Sequence, residues 1–159
     1  MVICAGGIRY FTCAWINILL WRKNGCKLPI ELWHRNGEIN QEIIDQLSEL
    51  NVECKNTMHF SSIDFISYSI KPFAIINSSF QEVLFLDADN NSMSDPSYLF
   101  DDPSYLESGA LFWPDFWKTS SENAIWKIFE CNDFDEFEFE TGQILIDKER
   151  CRKIVCSHQ

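Results

Sequence analysis

Basic residues are scarce in this chain: 13 Lys and Arg stand against 24 Asp and Glu, a net charge of −11 over 159 residues. A phosphate backbone demands a basic face, so this balance argues against nucleic acid as a partner. Any anionic ligand must be held by a local cation or a metal, since the overall field repels it. Long apolar runs are missing as well. The longest, residues 16–21, is broken by Asn17 and followed by Arg22 and Lys23. A membrane span needs roughly 20 apolar residues, so none is expected within this chain. Met1 is followed at once by Val2, Ile3 and Cys4, without the basic stretch and cleavage site of a signal peptide. The three histidines, His34, His59 and His158, are too scattered to form a metal set and read as structural or surface residues. The seven cysteines include no Cys-x-x-Cys pair. They read mostly as small buried apolar residues in a reducing compartment, with disulfides the lesser alternative.

What is present is ample core. Apolar residues make up 46% of the chain and aromatics 14%, which excludes intrinsic disorder. The length suits one domain of about 150 residues. Short apolar runs alternate with helical stretches, the pattern of an α/β domain with a largely parallel sheet. Strands are expected at residues 2–5, 30–33, 52–54, 83–86, 110–113 and 144–146. Helices are expected at residues 10–24, closed by Gly25, at 40–50, and at 72–79. Residues 94–105, with two Asp-Pro steps, read as turn, and residues 133–140, alternating Phe with acids, as either edge strand or loop. No internal repeat or domain linker is apparent.

The sharpest chemical signal is Leu86-Asp87-Ala88-Asp89-Asn90, which ends the continuous apolar run Val83-Leu84-Phe85-Leu86. Ligands of open α/β sheets bind at the carboxyl ends of the strands. Two carboxylates spaced i, i+2 there can share a hard divalent cation that also takes phosphate oxygens. A surface acidic turn is the plain alternative. A phosphatase of the haloacid dehalogenase type also carries two aspartates after an apolar strand. There the motif opens the chain and precedes Thr or Val, whereas several elements precede it here and Asn90 follows.

Further blocks stand in order around this motif. They are Ile3-Cys4-Ala5-Gly6-Gly7, Gly25-Cys26-Lys27-Leu28-Pro29-Ile30-Glu31-Leu32-Trp33 and Lys71-Pro72-Phe73-Ala74 before it. After it come Gly109-Ala110-Leu111-Phe112-Trp113-Pro114-Asp115-Phe116-Trp117 and Glu140-Thr141-Gly142-Gln143-Ile144-Leu145-Ile146-Asp147-Lys148. Together they resemble the fungal α-mannosyltransferase family (glycosyltransferase family 71) that builds α-1,2 and α-1,3 mannose linkages, over about residues 2–151.

The resemblance implies a GT-A nucleotide-sugar transferase fold, here a single partial catalytic domain over residues 1–159. It also implies a GDP-mannose donor, a mannose-containing glycan acceptor, Mn²⁺ or Mg²⁺, and retention of anomeric configuration. Asp87 and Asp89 carry over as the metal and diphosphate motif. Gly6 and Gly7 match the nucleotide loop after the first strand, where glycine lets backbone approach a ligand closely. Lys71 falls where glycogenin-like transferases are similar in placing a donor-binding lysine, and Arg9 is a weaker candidate for the same task. Solvated charge is the bland reading of both. Asp115, among aromatic rings suited to stacking on a pyranose, is singled out for sugar hydroxyls, while Phe112 reads as core. Glu140 and Gln143 match the position beside the reacting sugar. Their roles stay open between electrostatic support, a nucleophile, and a front-face route that needs no protein nucleophile.

Fungal members resemble type II Golgi proteins whose catalytic domains run past the Glu-Thr-Gly-Gln block. A Golgi setting is therefore expected if the chain is a fragment of such a protein, and a cytoplasmic one otherwise. The helical pattern of residues 151–156 favours the fragment. The alternatives kept open are a related retaining transferase using a UDP-hexose and an inactive nucleotide-sugar-binding fragment.

Overall fold

A computed structural model describes residues 1–62, 65, 67–91 and 93–156, apart from the side chains of 67 and 153–156. Six strands form one sheet: β1 (Val2–Cys4), β2 (Ile30–His34), β3 (Val52–Asn56), β4 (Glu82–Leu86), β5 (Ala110–Pro114) and β6 (Phe139–Asp147), in the order β3-β2-β1-β4-β6-β5. The pairings β3–β2, β2–β1 and β1–β4 are parallel; β6 runs antiparallel to both β4 and β5. All six expected strands are present, and the sheet is mostly parallel.

Alternation along each strand sorts the core into two layers. Ile3, Leu32, Leu84 and Leu145 face one cluster, and Val2, Trp33, Val83 and Phe85 the other. On the first face lie α1 (Gly7–Lys23), α2 (Gln41–Glu49) and α4 (Pro103–Ser108), which bury Trp21, Leu47 and Tyr105. On the second lies α3 (Ile70–Asn77), which buries Ala74. A single helical turn, α5 (Ile125–Ile128), and α6 (Lys148–Cys156) complete the elements. No helix among the described residues is long and apolar enough to cross a membrane.

The end of α1 follows from its sequence. Gly25 takes a φ of +88°, and the amides of Gly25 and Cys26 bond back to the carbonyls of Arg22 and Trp21 at 3.1 and 3.0 Å. These two bonds close the helix as a Schellman motif, which a left-handed glycine makes cheap. The α1 start differs from expectation, because the helix begins at Gly7, directly after the strand.

The reading of residues 94–105 as turn is corrected. A 3₁₀ helix covers Pro96–Asp101 and α4 follows at Pro103. Each begins with Asp-Pro-Ser, in which the aspartate side chain accepts the serine amide, Asp95 from Ser97 at 3.0 Å and Asp102 from Ser104 at 2.8 Å. Asp at the N-cap with Pro at the first helical position starts a helix, so the two steps are caps as well as turns. Residues 133–138 lie outside any strand, and β6 begins at Phe139. Phe112 also departs from expectation: it is 45% exposed and packs on Phe139 instead of filling the core.

Of the six cysteines whose state is described, all are free thiols; Cys26 and Cys151 are buried, Cys4, Cys13 and Cys54 half-buried, and Cys131 exposed. His34 is buried, and its Nδ1 lies 2.9 Å from the Arg35 carbonyl oxygen, which accepts from the Nδ1–H tautomer. His158 and the Cys156 side chain lie outside the described residues.

Candidate functional site

Three parallel strands, β2, β1 and β4, end at a common edge, and a cleft of about 290 Å³ opens there. One wall is built by β4 and the turn that follows. Asp87 comes immediately after Leu86 and its carbonyl accepts the Asn90 amide at 3.0 Å. Asp87 and Asp89 thus occupy the first and third positions of one tight turn, and both line the cleft.

Lys71 reaches the same wall from the first turn of α3. Its Nζ lies 2.7 Å from Asp87 Oδ2, and the two side chains are 17% and 28% exposed. The ammonium also sits 5.1 Å from the Tyr68 ring centre and 5.9 Å from that of Phe85. Partial burial strengthens both the ion pair and the cation–π contacts relative to open solvent. The floor includes Cys4, whose thiol is pushed up to about 12, first by burial and then by the nearby Asp87 charge. It is therefore a neutral thiol at ordinary pH and no nucleophile.

The Asp-Ala-Asp turn is pinned from below by a residue that sequence reasoning passed over. Asn17 is buried in the α1 stripe formed by Ala14, Asn17, Ile18 and Trp21, and its Nδ2 donates to the Ala88 carbonyl at 2.7 Å. An amide inside an otherwise apolar helical face was the available signal. Asn17→Ala removes that donor and leaves the Ala88 carbonyl buried without a partner. It is expected to destabilise the fold by about 1–3 kcal/mol. Denaturant unfolding of the variant checks this.

The other wall near Asp87 comes from β6. Gly142 accepts the Asp87 amide on its carbonyl at 2.7 Å and donates its own amide to Glu140 Oε1, also at 2.7 Å. A Cβ at Gly142 would lie 2.6 Å from Glu140 Oε1 and 3.2 Å from Asp87 Oδ2. A larger residue here would push the end of the Glu140 side chain out of its present place. Here β6 also breaks its pairing with β5: Phe112 faces Ile144, but Trp113 faces Glu140. The intervening Thr141, Gly142 and Gln143 bulge toward β4, and bulges of this kind commonly re-aim side chains beside a site. Gln143 pairs with Leu86, and its Oε1 lies 3.4 Å from Asn90 Nδ2.

The structure therefore brings Gly6, Lys71, Asp87 and Asp89 onto one cleft, with Glu140 and Gln143 against its β4 side. Gly7 opens α1 beside it with a φ of +65°. Gly6 has an unexpected neighbour: the space a Cβ would take there is filled by the Glu38 carboxylate. Two candidates do not converge on the cleft wall. Arg9 is exposed, its guanidinium 5.5 Å from the ring of Tyr10, and it is Tyr10 that lines the cleft. Asp115 directly follows β5, and its Oδ1 accepts the Phe116 amide at 2.6 Å. Since β5 runs parallel to β4 with β6 between them, Asp115 is at the same end of the sheet, about 10 Å across. Phe116 and Trp117 beside it are 92% and 74% exposed.

Comparison with known proteins places this geometry. The chain is 32% identical over 127 residues to the alpha-1,2-mannosyltransferase MNN22 of Candida albicans, an alignment that covers 74% of this chain and 22% of that protein. The chain thus spans about a fifth of the relative's length. Among solved structures, the galactosyltransferase LgtC superposes with a TM-score of 0.61 at 13% identity, covering 96% of this chain and 59% of its own. The glycosyltransferase GlyE of Streptococcus pneumoniae gives 0.58 at 18% identity, covering 97% and 35%. These likenesses establish a GT-A fold. Residues 1–152 match the family described as "Mannosyltransferase putative", and with the fungal relative this makes the chain a member of that mannosyltransferase family.

Proposed function

We propose that this chain carries the donor site of a metal-dependent, retaining α-mannosyltransferase, which moves mannose from GDP-mannose to a mannose-containing glycan in the Golgi. The observation that carries the reading is the meeting of Lys71, Asp87 and Asp89 on one cleft at the carboxyl ends of parallel strands. In a protein of net charge −11, a diphosphate needs such a local cation.

The residues present fit a divalent ion of limited protein ligation. Asp87 and Asp89 offer hard oxygen donors, and Asp87 already holds one positive charge in the form of Lys71. Among the described residues no cluster of three or more His, Cys, Asp or Glu could cage a metal. A magnesium-like ion suits this donor set, because it binds through one or two carboxylates and completes its shell with phosphate oxygens and water. When bound, such an ion neutralises the charge that develops on a diphosphate leaving group.

The chain's own groups divide the remaining work. Lys71 supplies a second positive charge to the diphosphate. The Gly142 amide holds the Glu140 carboxylate beside Asp87, where a negative group supports an oxocarbenium-like sugar, and Asn90 orients Gln143 next to it. Asp115 with Phe116 and Trp117, displaced along the same edge, accords with sugar hydroxyls of the acceptor. The test is incubation of the protein with radiolabelled GDP-mannose, Mn²⁺ and a mannobiose acceptor. An α-linked trisaccharide is expected. Metal-dependent binding of a uridine diphosphate sugar with no binding of GDP-mannose would overturn the donor assignment.

A further inference from the structure

Asp87 answers to two cations. Lys71 Nζ holds its Oδ2 at 2.7 Å, and on the donor-site reading the same carboxylate is a ligand of the divalent ion. Among the described residues Lys71 is the sole ion-pair partner of Asp87. The far side of the pair supplies no rival anion, since the hollow there is lined by Tyr68, Pro72, Ile75, Phe85, Thr141 and Ile144. Apolar walls of this kind screen charge poorly, so two cations meeting at one carboxylate repel more strongly than they would in water. The Tyr68 and Phe85 rings, 5.1 and 5.9 Å from the ammonium, keep it near Asp87 whether or not the carboxylate is its partner. Lys71 is also the second residue of α3, so its backbone is fixed and only its stem can turn.

We infer that Lys71 couples the divalent ion to the diphosphate, opposing the ion when it comes alone and favouring it when a diphosphate comes with it. The inference rests on the nucleotide-sugar reading above. While Lys71 holds Asp87, an incoming ion meets a like charge and a carboxylate that the ammonium has already neutralised. A diphosphate removes the conflict, because its oxygens accept the Lys71 ammonium and ligate the ion at once. The coupling is reciprocal by thermodynamic necessity. When the diphosphate departs, Lys71 returns to Asp87 and loosens its hold on the ion, so the two leave together. The signature is a reversal of sign. Removing the lysine charge helps the ion by itself and harms the ion with its diphosphate. A lysine that merely props the wall would tighten nothing on removal.

Calorimetry on the whole chain, with Mn²⁺ alone and with GDP in saturating Mn²⁺, reads the two signs. Lys71→Met keeps the apolar stem and removes the charge. It should bind Mn²⁺ alone about tenfold more tightly than the wild type, and GDP with Mn²⁺ about tenfold more weakly. Lys71→Gln is neutral but can still donate a hydrogen bond; it carries the same two expectations and keeps the test open should the Met variant not fold. Lys71→Arg keeps the charge and should leave the affinity for Mn²⁺ alone within about twofold of the wild type. Affinity for Mn²⁺ alone that is unchanged or lowered in the neutral variants overturns the inference and leaves the donor-site reading standing. Equal tightening in Lys71→Arg also overturns it, since the charge is then not the cause. Failure of the wild type to bind GDP with Mn²⁺ overturns the donor-site reading itself and this inference with it.

Discussion

On the proposed donor-site reading, Asp89→Ala is expected to lower mannosyl transfer by more than about 100-fold, the scale reached when even outer partners of a catalytic metal are removed, while thermal stability stays near that of the wild type. Among the described residues Asp89 is exposed and makes no hydrogen bond or ion pair, so its loss removes nothing the fold depends on. Exposed substitutions of this type usually change stability by less than about 0.5 kcal/mol. Asp87 gives a contrasting result. It holds the partly buried Lys71 ammonium, and Asp87→Ala leaves that cation without its counter-charge in a protected site. Loss of transfer is then accompanied by lost stability. The pair of variants separates chemistry from architecture: activity assays should fall for both, and thermal unfolding should shift for Asp87→Ala alone. Retention of full transfer by Asp89→Ala would remove the diphosphate motif from the mechanism.

The legible parts of this protein are those whose cause is local. The run Val83-Leu84-Phe85-Leu86 is apolar on successive residues because β4 is covered on both faces, and the aspartates that end it could be placed at a ligand-binding edge from that fact alone. The closure of α1 at Gly25 rests on neighbouring residues and was equally readable. The Asp-Pro-Ser caps were local too, but two chemistries share that signature, since Asp and Pro open turns and helices alike.

What sequence could not reveal depends on pairing across the fold. The Thr141-Gly142-Gln143 bulge exists only because β6 serves β4 and β5 in different registers. Glu38 meets Gly6 across 32 positions of chain, and nothing near either residue announces the contact. Asn17 could have been noticed within its apolar stripe, but its partner lies 71 residues away. Arg9 and Tyr10 illustrate helical geometry: adjacent residues point about 100° apart, so only one of them can face the cleft. In the sequence Phe116 and Trp117 read as stacking faces beside Asp115 and Phe112 as core. Their exposure depends on β5 being the edge of the sheet.

Glu31→Ala is expected to be the most destabilising single change, costing about 3–5 kcal/mol. Glu31 is the second residue of β2, fully buried, and its carboxylate joins three segments. Oε1 accepts the Ser79 amide at 3.0 Å and the Ser79 hydroxyl at 2.6 Å, and Oε2 accepts Trp33 Nε1 at 2.9 Å. Lys55 Nζ stands 3.9 Å away. Truncation leaves the Trp33 indole donor unsatisfied in the core and the half-buried Lys55 with one fewer counter-charge. It also reaches the site, because Trp33 lines the cleft floor. Burial by itself would raise the Glu31 carboxyl pKa, but the hydrogen bonds from Ser79, Trp33 and Ser78 outweigh it and hold the group below its ordinary value. The unfolded chain therefore takes up this proton first. The carboxylate contributes its full stabilisation above the ordinary glutamate pKa of about 4.3, and that contribution is lost as the pH falls through the lower folded value. Unfolding free energies measured from pH 7 to pH 3 should decline below about pH 4.3 in the wild type. Glu31→Gln keeps the shape and lacks the titrating group, so it should begin less stable and decline less steeply over the same window. Parallel curves for the two proteins would mean that some other carboxylate governs acid unfolding.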